Sequence, residues 1–363
     1  MDKLKETLSN IAEINKRLMD LTQERLNNLT KPIGSLGRLE ELARLIAGIT
    51  AKENPKLKNK AIFTFAADHG VAREGVSAYP QEVTAQMVYN FLSGGAGINV
   101  LARHAGARVI VADLGVVQDL KPHPALVIKK INYGTKNMAV GPAMTRPEAI
   151  KAIEAGIEIF TDEFSVKGGS ASGGKKGIDI IGTGEMGIGN TTAASAITAV
   201  ITKKPVADVT GKGTGIDDKG MKNKIRVIKK ALALNKPDPD DAIDILAKVG
   251  GFEIGGLAGI ILAAASKRVP VIIDGFISAA AALIAYQIEP KTKDYMIASH
   301  CSVEKGHKVI LEYLGLKPLL DLNLRLGEGT GAALGINIID AAIKILTQMA
   351  TFKSAGVSQK TDK

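Results

Sequence analysis

The chain has 363 residues, 45% of them hydrophobic, which is enough to bury one large α/β unit or two unequal lobes and too apolar for a disordered chain. Lys and Arg number 47 against 37 Asp and Glu, and the net charge of +10 favours anionic small molecules; yet six Tyr, eight Phe and no Trp are too few for a base-stacking platform, and the basic residues are scattered, so no nucleic-acid partner is expected. A single cysteine, Cys301, excludes an internal disulfide and a multi-cysteine zinc cluster, and five dispersed histidines lack ligand spacing, so no metal is expected.

Leu4, Leu8, Ile11, Ile14, Leu18 and Leu21 recur at spacings of three and four, which predicts one long amphipathic helix ending near Thr30. Its charged start, Met1 to Glu6, has no signal-peptide character, and a cytoplasmic protein is expected. Pro32 and Gly34 break the chain, and a second helix is predicted from Leu36 to about Ile49, with Glu40, Glu41 and Arg44 on its polar side.

From residue 61 the texture changes. Ala61 to Ala67, Arg108 to Asp113, Ile178 to Thr183, Pro270 to Asp274 and Asp294 to Ser299 are apolar runs of strand length, each followed by a polar or Gly-rich connector. They predict a three-layer αβα lobe over residues 59–302 with a mostly parallel, Rossmann-like sheet. Helices return beyond Val303, Asn337 to Met349 being the last, so 1–58 and 303–363 are expected to form a smaller helical lobe. Lys167 to Lys176 reads as a Gly/Ser/Lys-rich loop, and the residues after Phe352 as a loose tail. The longest apolar runs, Gly255 to Ala265 and Phe276 to Ile288, are too short to span a bilayer, and no membrane association is expected. Open parallel sheets bind ligands outside the carboxyl ends of their strands, so the connectors after residues 67, 113, 183, 274 and 299 should line one crevice.

Several connectors carry chemistry. Asp68-His69 ends the first strand without a nucleophile motif beside it, and a loop-amide role for Asp68 is favoured. Gly184-Glu185-Met186-Gly187-Ile188-Gly189-Asn190-Thr191-Thr192 opens a helix read as Ala193 to Val200; its exposed amides and the helix N-terminus suit a phosphate, with an ordinary strand-to-helix turn as the plainer reading. Thr210 to Asp218 is a second Gly-rich loop, followed by a basic helix from which Lys224 reaches a phosphate if it is not simply a surface lysine; Asp217-Asp218 read as helix caps. Asp274 at a strand end is either a sugar-hydroxyl acceptor or a turn stabiliser. Ser299 to Ser302 and Glu304 to His307 offer hydroxyls to an anion or cap the next helix, and Cys301 has no acid–His relay. Leu324 to Ala333 isolates Glu328 between glycines ahead of an apolar helix. Desolvation there would raise its proton affinity into a general base's range, while the plainer reading is a dipole partner at a helix start.

Taken in order, these segments resemble the nicotinate-nucleotide:dimethylbenzimidazole phosphoribosyltransferase family. The likeness runs through Lys31-Pro32-Ile33-Gly34-Ser35-Leu36-Gly37-Arg38-Leu39-Glu40, Ala67 to Val71, Gly184 to Gly187 with Asn190-Thr191-Thr192, Gly250 to Ile254, Asp274-Gly275-Phe276, Ser299-His300 and the Glu328 segment. It implies transfer of the 5-phosphoribosyl group of nicotinate mononucleotide to 5,6-dimethylbenzimidazole, giving α-ribazole 5'-phosphate and nicotinate, without metal or redox cofactor, by a homodimer. It implies that Glu328 removes the acceptor's N–H proton, that Glu185, Gly187 and Lys224 surround the ribose phosphate, and that Asp274, Gly275 and Ser302 also line the nucleotide site. The family's acceptor pocket draws on the segment here running from Ser77 to Met87, but some relatives carry Ser where Tyr79 stands and Gln where Met87 stands. Tyr79 and Met87 therefore point to a different aromatic base, such as another benzimidazole, adenine or a phenol, or to plain core packing. A non-catalytic nucleotide-binding protein is the alternative of another class.

Overall fold

The computed structural model describes residues 2–165 and 177–358. The loop read at Lys167 to Lys176 lies outside the described residues, as does the end of the tail beyond 358.

Three helices, α1 (Asp2–Ser9), α2 (Lys16–Asn27) and α3 (Arg38–Thr50), precede the first strand, β1 (Lys60–Ala67). Then come α4 (Val83–Ser93), α5 (Gly97–Ala105), β2 (Ala107–Gly115), β3 (Leu126–Ile128), α6 (Arg146–Ser165) and β4 (Ile180–Met186). The next stretch holds α7 (Asn190–Thr202), α8 (Val206–Val209), α9 (Asp218–Asn235), α10 (Ala242–Val249), α11 (Phe252–Ser266), β5 (Val271–Ile273), α12 (Phe276–Ile288) and β6 (Met296–Ala298). The chain closes with α13 (Lys305–Leu314), α14 (Thr330–Gln348) and α15 (Phe352–Ala355).

All six strands are parallel, in the order β3-β2-β1-β4-β5-β6. That is the Rossmann order, whose direction of growth reverses between β1 and β4; the loops leaving those two strands diverge there and leave a crevice. Strand alternation separates two apolar layers. Phe63, Phe65, Ile181, Val271 and Ile273 bury against a core that includes α6, α7, α11 and α12, whereas Ile62, Ala66, Ile180 and Ile272 bury with α3, α4, α5 and α14. The expected three-layer αβα sheet is therefore present, and helices from both chain ends, α2, α3 and α14, pack together on one of its faces.

The structure corrects the element boundaries in physical ways. The first helix is two, because Asn10 turns its amide back to the Glu6 carbonyl and Asn15 caps α2 by accepting from the Leu18 amide at 3.0 Å. Such local bonds compete with the helical ladder, and the expected stripe does not run through: α1 packs on α6 and α11, whereas α2 packs on α3 through Thr22 and Leu26 and leaves Leu21 exposed. Glu40 is not on a polar face but buried, paired with Lys31 Nζ at 2.8 Å and accepting from the Leu36 amide. β3 was not foreseen, being three residues at the sheet edge, and Pro290–Tyr295 forms a 3₁₀ turn where the last strand was expected to begin. α14 starts at Thr330, not Asn337; by length and composition it suffices to cross a membrane, but Asn337, Asp340 and Lys344 interrupt its apolar run, and Ile336, Ile339 and Ile343 bury it against the protein. The expected loose tail begins instead with a capped turn, in which Thr351 Oγ1 accepts from the Ser354 amide at 3.1 Å.

Candidate active site

The carboxyl ends of β4, β5 and β6 and the segment 323–327 enclose a cleft of about 500 Å³. Its wall includes Tyr79, Glu185, Gly187, Gly275 and Ser302, five of the residues singled out from sequence. That volume and a wall made of loops on a rigid sheet suit a small-molecule ligand.

Glu328 stands directly behind the wall, next to the lining residues Leu326 and Gly327. Three successive residues here have left-handed backbone: Gly327 (φ 83°), Glu328 (φ 63°) and Gly329 (φ 102°). Glycine adopts this freely, but for Glu it is strained and must be held by its surroundings. Two contacts hold it. Thr64 Oγ1 of β1 donates to the Glu328 carbonyl at 2.9 Å, and the Ile98 amide in the first turn of α5 donates to carboxylate Oε2 at 3.0 Å. Gly184 makes the seating possible, since a Cβ there would lie 2.2 Å from the Glu328 carbonyl oxygen. Only 5% exposed, the carboxyl is pushed above the usual range by burial, aided by Asp274 and opposed by the Ile98 amide.

Behind Gly327 lies Glu185, with a Cβ at 327 placed 2.3 Å from its Oε1. Asn190 donates to Glu185, yet burial and the neighbouring Asp274 and Glu253 carboxyls push it up to about 8. The turn after it is tied to α4, where Thr84 Oγ1 accepts from the Ile188 amide at 3.1 Å, and α7 begins at Asn190 rather than Ala193. Gly187, Ile188, Asn190 and Thr191 thus face the cleft at a helix N-terminus, an arrangement that favours anions.

Lys224 is fully buried in α9, not a surface lysine. Its Nζ donates to Thr191 Oγ1 at 2.7 Å and to the Gly211 carbonyl at 3.3 Å, one layer behind the cleft wall. Burial pushes its pKa down to about 8 against the pull of Glu304. Glu304 was read only as a possible cap, but its Oε1 accepts from the Gly213 amide at 2.9 Å and so ties the second Gly-rich loop to the start of α13. Asp217 caps α9 as expected, accepting from the Gly220 amide at 2.7 Å.

Asp274 spends both oxygens on the start of α14, accepting from Gly329 N at 3.1 Å and Ala332 N at 3.0 Å. This places it under Glu328 and out of the cleft wall, and burial raises its carboxyl to about 7 against those amides. Met87 is likewise absent from the wall; it packs in the α4 layer of the core. Asp68 serves a loop amide, Val117 N at 2.8 Å. Sequence reasoning gave its neighbour little weight, but His69 Nε2 lies 2.6 Å from Glu253 Oε1 with both side chains buried, beneath the Gly187 turn. The signal was present in the unusual pairing of ionisable residues with glycines in both Asp68-His69-Gly70 and Gly250-Gly251-Phe252-Glu253.

A family model described as phosphoribosyltransferase matches residues 11–357. Similar in sequence are nicotinate-nucleotide–dimethylbenzimidazole phosphoribosyltransferases of Roseiflexus sp. (strain RS-1), 57% identical with all of both chains covered, and of Desulforudis audaxviator (strain MP104C), 56% identical over 99% of each. Among solved structures, CobT from Thermus thermophilus superposes with a TM-score of 0.89 at 44% identity, covering 95% of this chain and 100% of that one.

Proposed function

The chain belongs to this phosphoribosyltransferase family, and on that premise we propose that it moves the 5-phosphoribosyl group of nicotinate mononucleotide onto 5,6-dimethylbenzimidazole with Glu328 as general base. The observation that carries the proposal is the seat of Glu328: a nearly dry carboxylate beside the cleft, held by Thr64 and Ile98 in backbone that the chain would otherwise avoid.

The chemistry follows from that seat. The azole's unprotonated ring nitrogen attacks C1' as the N–H proton of its other nitrogen passes to the Glu328 carboxylate, and the C1'–nitrogen bond to nicotinate breaks. The electron pair of that bond neutralises the pyridinium nitrogen, so nicotinate needs no protonation to leave. Burial raises the affinity of Glu328 for the arriving proton, and the hydrogen bond from the Ile98 amide at the start of α5 keeps the ionised form available beforehand. The turn from Gly187 to Thr191, at the N-terminus of α7, is the reading's seat for the 5'-phosphate; Lys224 supports it from behind through Thr191, Glu185 holds it through Asn190, and Gly275 and Ser302 line the nucleotide side. Tyr79, more than half exposed at the cleft edge, is suited to lie against a flat acceptor. We take the working form to be a homodimer, a reading that rests on the family likeness alone.

Glu328→Gln should bind nicotinate mononucleotide as before while nicotinate release slows by ~10² to 10⁴, the usual worth of general-base help. An unchanged rate in a coupled nicotinate assay would remove Glu328 from the mechanism. Absence of nicotinate release by the unaltered protein with any azole would remove the reaction.

A further inference from the structure

We propose that His300 is a substrate-recognition residue of this site, its Nε2 accepting a hydrogen bond from a hydroxyl of the ribosyl ring. The inference deepens the phosphoribosyl reading and rests on it.

His300 follows β6 and lines the cleft between Gly275 and Ser302. Its orientation is fixed from several sides. Nδ1 lies 2.9 Å from Ser299 Oγ and 4.0 Å from Asp274 Oδ1. The ring meets that of His307 edge-on at 5.7 Å, and it rests on Gly331, where a Cβ would come within 2.0 Å of Nδ1.

Ser299 Oγ has one proton and two acceptors within reach, the Asp274 carbonyl at 3.4 Å and Nδ1 at 2.9 Å. With the imidazole proton on Nδ1 all the contacts are met at once: Nδ1–H donates to Ser299 Oγ and faces the Asp274 carboxyl at 4.0 Å, and Ser299 donates to the Asp274 carbonyl. In that tautomer Nε2 carries a bare lone pair. It has no hydrogen-bond partner among the described residues, and the neighbouring Gly275 carries no side chain to crowd it: a Cβ there would meet the ring in ordinary contact, 3.9 Å from Nε2. Burial pushes the ring's pKa down to about 4, so it is neutral near neutral pH.

A bare lone pair discriminates among the groups of a nucleotide. It offers no proton to phosphate or carboxylate oxygens, which the adjacent Gly-rich turns accommodate instead. Only hydroxyls, and the acceptor's N–H that Glu328 takes, can donate to it. Of these, the ribosyl hydroxyls are the groups to which the proposed mechanism assigns no other partner.

The test compares kcat/KM for nicotinate mononucleotide with its 2'-deoxy and 3'-deoxy analogues, using dimethylbenzimidazole as acceptor. The unaltered protein should lose about tenfold with one analogue, the worth of one hydrogen bond. His300→Phe should lose about as much with the full nucleotide and nothing further with that analogue, whereas His300→Gln, whose amide oxygen can stand near Nε2, should keep part of the preference. A merely structural histidine would lower all three rates together and preserve their ratio. That result overturns the proposal, as would equal rates for all three nucleotides with the unaltered protein. If His300→Phe fails to fold by circular dichroism, His300→Ala makes the same comparison. Failure of the phosphoribosyl reading itself shows differently, as no turnover of any nucleotide.

Discussion

At the scale of single residues, the site consists of carboxyl groups placed where water scarcely reaches. Glu328, Glu185 and Asp274 all take up protons more readily than free carboxylates, in each case first because of burial. Glu185 shows the consequence for stability. Its carboxyl titrates near 4.5 when free and near 8 in the folded chain, so the folded state keeps a proton that the unfolded state has released. Stability from this group is therefore complete below about 4.5 and lost as pH rises towards about 8. Glu185→Gln should flatten that loss, by on the order of a few kcal/mol between about pH 5 and about pH 9 in urea unfolding. An identical decline in the variant would place the burden on other groups. A second pH effect concerns rate. The acidic limb of kcat/KM should lie above the ordinary carboxylate range and disappear in Glu328→Gln, since only the ionised Glu328 can accept the proton.

Residues of this kind differ in how legible they are. Glu328 announces itself because glycines on both sides have no other local purpose than backbone freedom and close approach. Lys224 was indistinguishable from the other lysines of its basic helix, since its burial depends on where α9 settles against α7. The glycines before Glu253 mark its segment but not its partner, and His300 carries no such mark. The significance of these two residues comes from partners 25 or more positions away, Asp274 and His69, and pairing at such separation leaves no periodic trace.

At the scale of elements, the strands were read well because parallel strands covered on both faces must be apolar along their whole length. Element ends were read less well, because they depend on single bonds such as the Asn15 cap or on glycines inside α14 that interrupt its apolar pattern. Two helices owe their contact to glycine. A Cβ at Gly156 of α6 would lie 1.9 Å from the Gly256 carbonyl oxygen of α11, and one at Gly259 would lie 2.0 Å from that of Ile153. Backbone cannot yield as a flexible side chain does. Gly156→Ala should therefore force the pair apart and cost about 2 kcal/mol or more, read as a lower urea midpoint. Unchanged stability would mean that this helix pair shifts freely, and the close approach would lose its structural weight.

At the scale of the whole molecule, the reversal of strand order between β1 and β4 decides where a ligand can bind. Asp68-His69 leaves β1 and the Gly187 turn leaves β4, and the two meet with no link between them in sequence: His69 lies buried beneath the turn, which faces the cleft. The homodimer proposed from the family likeness belongs to this scale too. Light scattering should give about twice the 38.1 kDa of one chain, and a mass of one chain at working concentration would withdraw the dimer.

The amino-acid order alone determined the parallel α/β architecture, the glycine-rich turns and the exceptional position of Glu328. These are consequences of short-range rules: strand length, turn chemistry and the freedom of glycine. Folding decided the rest. It buried Lys224 and Glu40, turned Asp274 into the cap of α14, kept Met87 out of the cleft and put His300 in the cleft wall with one ring nitrogen unpaired among the described residues. Each of these depends on desolvation and on bonds between distant segments, which do not exist until the sheet and its covering helices have come together.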